Sequence, residues 1–228
     1  MAAVIIVLIG IFALAFLPQM WVQGVLTRHS KDRPDLSGTG GQLARHLLDE
    51  MGLTHVTVEE TKLGDHYDPE AKVVRLTRPH FAGRSLSAVV VAAHEVGHAM
   101  QDATGYAPLQ ARTRLAKQAH KIEKAGAVMM LAAPLMMLLA KSPHVMIMQV
   151  FAGVVILAST VLMHALTLPV EFDASFRRAL PVLKAGQYVP SKDMAAARQI
   201  LRAAAFTYVA SAAMSLLDVM RWLRTLRF

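Results

Sequence analysis

The 228-residue sequence predicts an integral membrane protein, mainly α-helical, with about four transmembrane helices and a small α+β region that carries a histidine pair on a helix. Three observations predict it. Hydrophobic residues make up 54% and charged residues 18%, with a mean hydropathy of +0.39, all away from the average for globular domains. The apolar residues are gathered into stretches. One apolar run, "VVVAAHEVGHAM" (89–100), holds three ionisable groups within one turn and a half of helix.

Residues 2–17, 125–140 and 145–168 carry no charge, and 203–220 carries only Asp218. A span needs roughly 20 apolar residues, a length these stretches reach once their flanks are included. The predicted organisation is an anchor at 1–26, a region with the HEVGH helix at 27–124, a hairpin of two spans at 125–168 turned at "KSPH", helices at 169–202, and a last span at 203–228. "ALA" at 13–15 resembles a signal-peptide cleavage site. No Lys or Arg precedes the apolar run, however, so the segment reads as an uncleaved anchor.

The net charge of +8 does not indicate a nucleic-acid partner, because the basic residues flank the spans. Of 24 Lys and Arg, only Lys141, Arg221, Arg224 and Arg227 fall on the side opposite the rest, which makes the populated side cytoplasmic by the positive-inside tendency. The absence of cysteine excludes disulfides and thiolate metal sites.

"GGQLARHLLDEM" predicts a helix from about Gly41 to Met51, closed by Gly52. "HVTVEE" alternates as a strand does, and "GDHYDPEAKVVRLT" predicts a turn at Asp68-Pro69 followed by a strand over about 72–77. Ser85 is placed to cap the helix that carries the histidines. From Pro108 to Lys124 the pattern is helical and strongly charged, and further helices follow Pro169 and Ser191.

In "HEVGH" the spacing itself carries chemistry. Residues four apart stack on one helix face, so His94 and His98 can each turn a ring nitrogen to one zinc ion about 2 Å away. Glu95 lies beside them, placed to take a proton from a zinc-activated water without ligating the metal. A buried apolar helix tolerates such charges poorly unless they are paired or bound.

A catalytic zinc takes a third protein ligand. Asp102 lies eight residues beyond His94, about 12 Å along the helix at ~1.5 Å per residue, too far to share the ion. Glu123 falls in the charged helix, Asp193 at the start of the last helix and Asp218 at the far end of the last span. In "LPVEFDAS", Glu171 is the favoured ligand, and Asp173 either orients a histidine from behind or is itself the ligand.

The chain resembles the YugP-like membrane zinc metallopeptidases, the neutral zinc metallopeptidase 2 family. The resemblance rests on "GDHYDPEAKVVRLT" (64–77), "GRSLSAVVVAAHEVGHAMQDATGYAPL" (83–109), "TLPVEFDAS" (167–175) and "LRAAAFTYVAS" (201–211), in order along nearly the whole chain. It implies a zincin-like catalytic region, distantly similar to the HtpX and CAAX prenyl protease gluzincins. His94, His98 and Glu171 match the zinc ligands of one Zn²⁺ per chain and Glu95 the general base. One departure stands out: the HtpX class has an Asp four residues after the ligand Glu, where this chain has Ser175.

In zincins a strand beside the active helix pairs with the substrate backbone, and "KVVRL" is the candidate for that edge. His66 or Tyr67 could then donate to the oxyanion, or "DHYDP" is simply a structural turn with Asp65 and Asp68 capping it. His164 reads as a helix–helix contact rather than part of a substrate path.

The expected function is a membrane-bound zinc metalloendopeptidase in a bacterial inner or cell membrane, with its site on the cytoplasmic side. Its expected partners are the lipid bilayer and polypeptide substrates, unfolded or membrane-protein segments. Two alternatives are a non-catalytic scaffold or chaperone and a site-2-type intramembrane protease, though the latter's Asp-Gly pair is missing. Substrate preference and any regulatory protein partner are not written in the sequence.

Overall fold

The computed structural model of the chain describes residues 16–118, 121, 128, 148, 151, 155, 163 and 166–207. Helix α1 (16–28) leads to α2 (Gly40–Glu50), strands β1 (Thr57–Thr61), β2 (His66–Asp68) and β3 (Val73–Thr77), the single turn α3 (Arg78–Phe81), α4 (Leu86–Ala103) and α5 (107–118). A further helix covers 166–185, with Asp173–Ala179 wound as a π-helix, and the last described helix spans 194–207 after a short 3₁₀ turn, Ser191–Asp193.

Helix α4 is the element the others pack around. Ser85 starts it: its Oγ accepts from the Ala88 N–H at 3.1 Å, satisfying one of the amides a helix start leaves orphaned. Every residue from Leu86 to Ala99 is buried, the signature of a helix covered on all sides. Helix α2 lies against it and starts with a capping box in which Thr39 and Gln42 exchange side chain-to-backbone bonds at 2.9 and 3.2 Å. Gly40 permits the approach, since a Cβ there would sit 2.6 Å from the Ala88 carbonyl oxygen.

The sheet has the order β1-β3-β2, with β1 parallel and β2 antiparallel to β3. Val74 and Leu76 of β3 are fully buried, and Tyr67 pairs with Val74 in register. Asp68 closes the turn between β2 and β3 by accepting the Glu70 and Ala71 amides at 2.9 and 3.0 Å. The "KVVRL" strand is thus the central one, with both edges taken. It is not open to a substrate strand as the sequence pattern suggested; alternation reports faces, not edges.

The structure also corrects the fold that hydropathy predicts. Among the described residues no helix is long and apolar enough to cross a membrane. These residues form a mostly helical domain with a central sheet and a buried His/His/Glu cluster, so the four-span membrane fold, the bilayer as partner and the integral-membrane location are set aside. The membrane-bound and intramembrane protease readings rested on those spans and go with them. The physical reason is visible in α1: Val22 and Val25, inside the predicted anchor, turn inward at 6% and 4% exposure. Residues 1–15 lie outside the described residues, as do His164 and nearly all of the predicted hairpin and last span.

Candidate metal centre

His94 and His98 stand one turn apart on α4, their rings 4.8 Å apart and nearly perpendicular. The Nε2 atoms of both face the same oxygen of Glu171, Oε2, at 3.1 and 3.2 Å. All three side chains are buried, and their ligand-type atoms lie within 4.8 Å of one another, a cluster capable of coordinating a metal ion. Ligands about 2.0–2.1 Å from a tetrahedral zinc stand roughly 3.3 Å from one another, close to these separations.

The hydrogen bonds behind the rings decide which nitrogen is free. Gln101 donates from Nε2 to the Val170 carbonyl at 2.8 Å and to Asp173 Oδ1 at 2.9 Å, so its Oε1 must face His98. That oxygen accepts, so His98 carries its proton on Nδ1, 2.9 Å away. Ser175 donates to the Leu201 carbonyl at 3.1 Å and therefore accepts from His94 Nδ1 at 3.0 Å. Both imidazoles thus spend Nδ1 on the bonds behind them and turn Nε2, free to share a proton or to bind a cation, to one carboxylate oxygen. Three lone pairs at this range repel unless a proton or a metal cation lies among them. The donor set fits a metal.

Gly97 lets the cluster close. A Cβ there would come within 2.6 Å of the Ala174 carbonyl oxygen, on the π-wound segment just after Glu171. π-Helical turns are uncommon and recur at functional sites. Here the segment carries Asp173 and Ser175, and both point back toward α4.

The two site glutamates are pushed in opposite directions. Burial raises the Glu95 carboxyl to about 7; His94 opposes the shift, and the charges of Glu171 and Asp65 reinforce it. Burial would raise Glu171 too, but the charge on His98 and the hydrogen bonds from His94 and His98 outweigh it. They hold that carboxyl well below the usual carboxylate range. Its second oxygen, Oε1, accepts from Arg112 Nη1 at 3.2 Å.

Glu95, His66, Arg112 and the three clustered residues line one cavity of about 480 Å³. His66 Nδ1 lies 2.9 Å from the Gly64 carbonyl and donates to it. The Tyr67 hydroxyl is engaged elsewhere, donating to Asp102 at 2.6 Å. Asp173 reaches neither histidine directly; its Oδ1 accepts from Gln101 and from Arg178 Nε at 2.8 Å. Sequence reasoning missed Gln101, Ser175 and Arg112. The first was findable three residues after His98 on the same helix, and the second four residues after Glu171. Arg112 carries no comparable signal.

Comparison with known proteins bears on the same residues. A family described as "Putative neutral zinc metallopeptidase" matches residues 4–227. "Putative membrane protease YugP" of Bacillus subtilis (strain 168) is 36% identical over 219 residues, covering 94% of this chain and 92% of that protein. No solved structure matches the chain.

Proposed function

The chain belongs to the neutral zinc metallopeptidase family, and we propose that it is a zinc-dependent peptide hydrolase in which His94, His98 and Glu171 hold one zinc ion and Glu95 is the general base. The observation that carries this reading is the convergence of two Nε2 atoms on one Glu171 oxygen, at 3.1 and 3.2 Å, with Glu95 next to His94 on the helix. A bound zinc ion would supply a Lewis acid that activates water and polarises the scissile carbonyl.

The chain's own groups do the rest. The Glu95 carboxylate takes a proton from the attacking water and returns it to the leaving amine, and a carboxyl raised to about 7 suits a group that must both accept and release a proton near neutrality. Gln101 and Ser175 keep the two imidazoles oriented. Asp173 acts one step further back, fixing the Gln101 amide.

Strand β2 borders the cavity, and among the described residues nothing pairs with its outer edge. An extended substrate adds there as a further strand, by main-chain hydrogen bonds. His66 stabilises the oxyanion from the same strand. Because its Nδ1 proton already goes to Gly64, it can donate from Nε2 only as the imidazolium.

The test is hydrolysis of an unfolded polypeptide by zinc-loaded wild type and Glu95→Gln. The enzyme reading expects Glu95→Gln to keep its zinc and lose roughly 10²–10⁴-fold in rate. A zinc-loaded wild type that cuts nothing would leave a non-catalytic scaffold.

A further inference from the structure

A second cavity, of about 370 Å³, opens between the β2–β3 turn and α5. It shares three wall residues, Tyr67, His98 and Arg112, with the cavity that holds Glu95, so the two adjoin across a histidine of the metal cluster. A substrate residue next to the scissile bond is the part of the chain that can reach it.

What the cavity offers a ligand follows from where its polar groups are already spent. The Tyr67 hydroxyl goes to Asp102, and both nitrogens of His98 face Gln101 and Glu171. Arg112 donates to Glu171, and Thr113 Oγ1 donates to the Leu109 carbonyl at 2.9 Å. Asp68 is taken by two amides and by Arg75 at 2.8 Å. Glu70 and Lys117 pair with each other, both exposed at the rim. The surface left for a guest is that of Pro69, Leu109, Ala116 and the Tyr67 ring. A polar guest would shed its water and find partners already engaged, whereas an apolar one gains by burial.

We propose that this second cavity is the subsite for an apolar side chain, of Leu or Phe size, on one of the two substrate residues flanking the scissile bond, and that it sets the cleavage preference. The proposal rests on the peptide-hydrolase reading above.

The experiment uses the zinc-loaded full chain and peptides varied at both flanking positions. At one of them kcat/KM should fall at least ~10-fold when Leu or Phe is replaced by Gly or Asp. Ala116 is exposed on α5, so a larger side chain there fills the cavity from its open side. Ala116→Trp should lower the Leu-over-Gly ratio at least ~10-fold, and Ala116→Leu should lower it less. Binding gives a readout apart from turnover. A Leu-containing peptide should bind Glu95→Gln at least ~10-fold more weakly once Ala116→Trp is added, with zinc content unchanged. Cleavage indifferent to both flanking residues, or a preference that Ala116→Trp leaves intact, would overturn the subsite alone. A zinc-loaded wild type that cleaves no peptide overturns the hydrolase reading and the subsite with it.

Discussion

Helix α4 and the π-containing helix meet where Gly97 faces Ala174, and each brings a buried glutamate to one cavity. Helix α4 is regular, capped and apolar, and Glu95 within it is dominated by burial, which pushes its carboxyl up to about 7. The π-wound helix is charged and irregular, and Glu171 at its entry, which burial alone would raise, is held ionised by the two histidines together. Two carboxylates in one site thus have opposite tendencies. The one that stays charged suits a cation, and the one poised near neutrality suits proton transfer.

The sharpest way to break this comparison is to separate the helices. Gly97→Val places a side chain against the Ala174 backbone, which has no flexible end to yield. We expect a loss on the order of 3 kcal/mol in stability and, with it, loss of bound metal. Denaturant unfolding beside metal analysis checks both. An unchanged metal content would mean that the two helices do not need their present spacing.

The next effect isolates what stands behind the ligands. Gln101→Leu and Ser175→Ala should each weaken metal affinity by roughly 10–100-fold, through a misoriented His98 or His94. Competition with a chelator measures it. Equal affinity to wild type in both would show that the rings are held by packing alone.

The smallest expected effect concerns Glu95 in metal-free protein. A carboxyl whose folded pKa is raised stabilises the fold most below its unfolded value, and that contribution is lost as pH rises through about 7. Between about pH 6 and pH 8 wild type should therefore lose about 1 kcal/mol that Glu95→Gln does not lose. Parallel slopes in the two proteins would place the raised carboxyl elsewhere.

Much of α4 is legible in the sequence because its signals are local: a Ser cap, an unbroken apolar run and a four-residue histidine spacing. The pair Glu171 and Asp173 is reachable by elimination among the downstream carboxylates. The π winding of "DASFRRA" is not, since nothing in those residues distinguishes it from an ordinary helix turn. That winding goes with Ser175, rather than Asp173, touching His94. The central place of β3 was hidden for a related reason, because strand order is set by tertiary pairing. Hydropathy misled where it counted apolar residues without knowing what covers them, as with Val22 and Val25.

The central claim is that His94, His98 and Glu171 together hold a zinc ion. Its most direct test is zinc per chain in purified wild type, Glu171→Ala and Asp173→Ala. The structure predicts ~one zinc ion per wild-type chain, lost in Glu171→Ala and retained, though more weakly held, in Asp173→Ala. A folded wild type that takes up no zinc, or a site that survives Glu171→Ala and fails in Asp173→Ala, would contradict it.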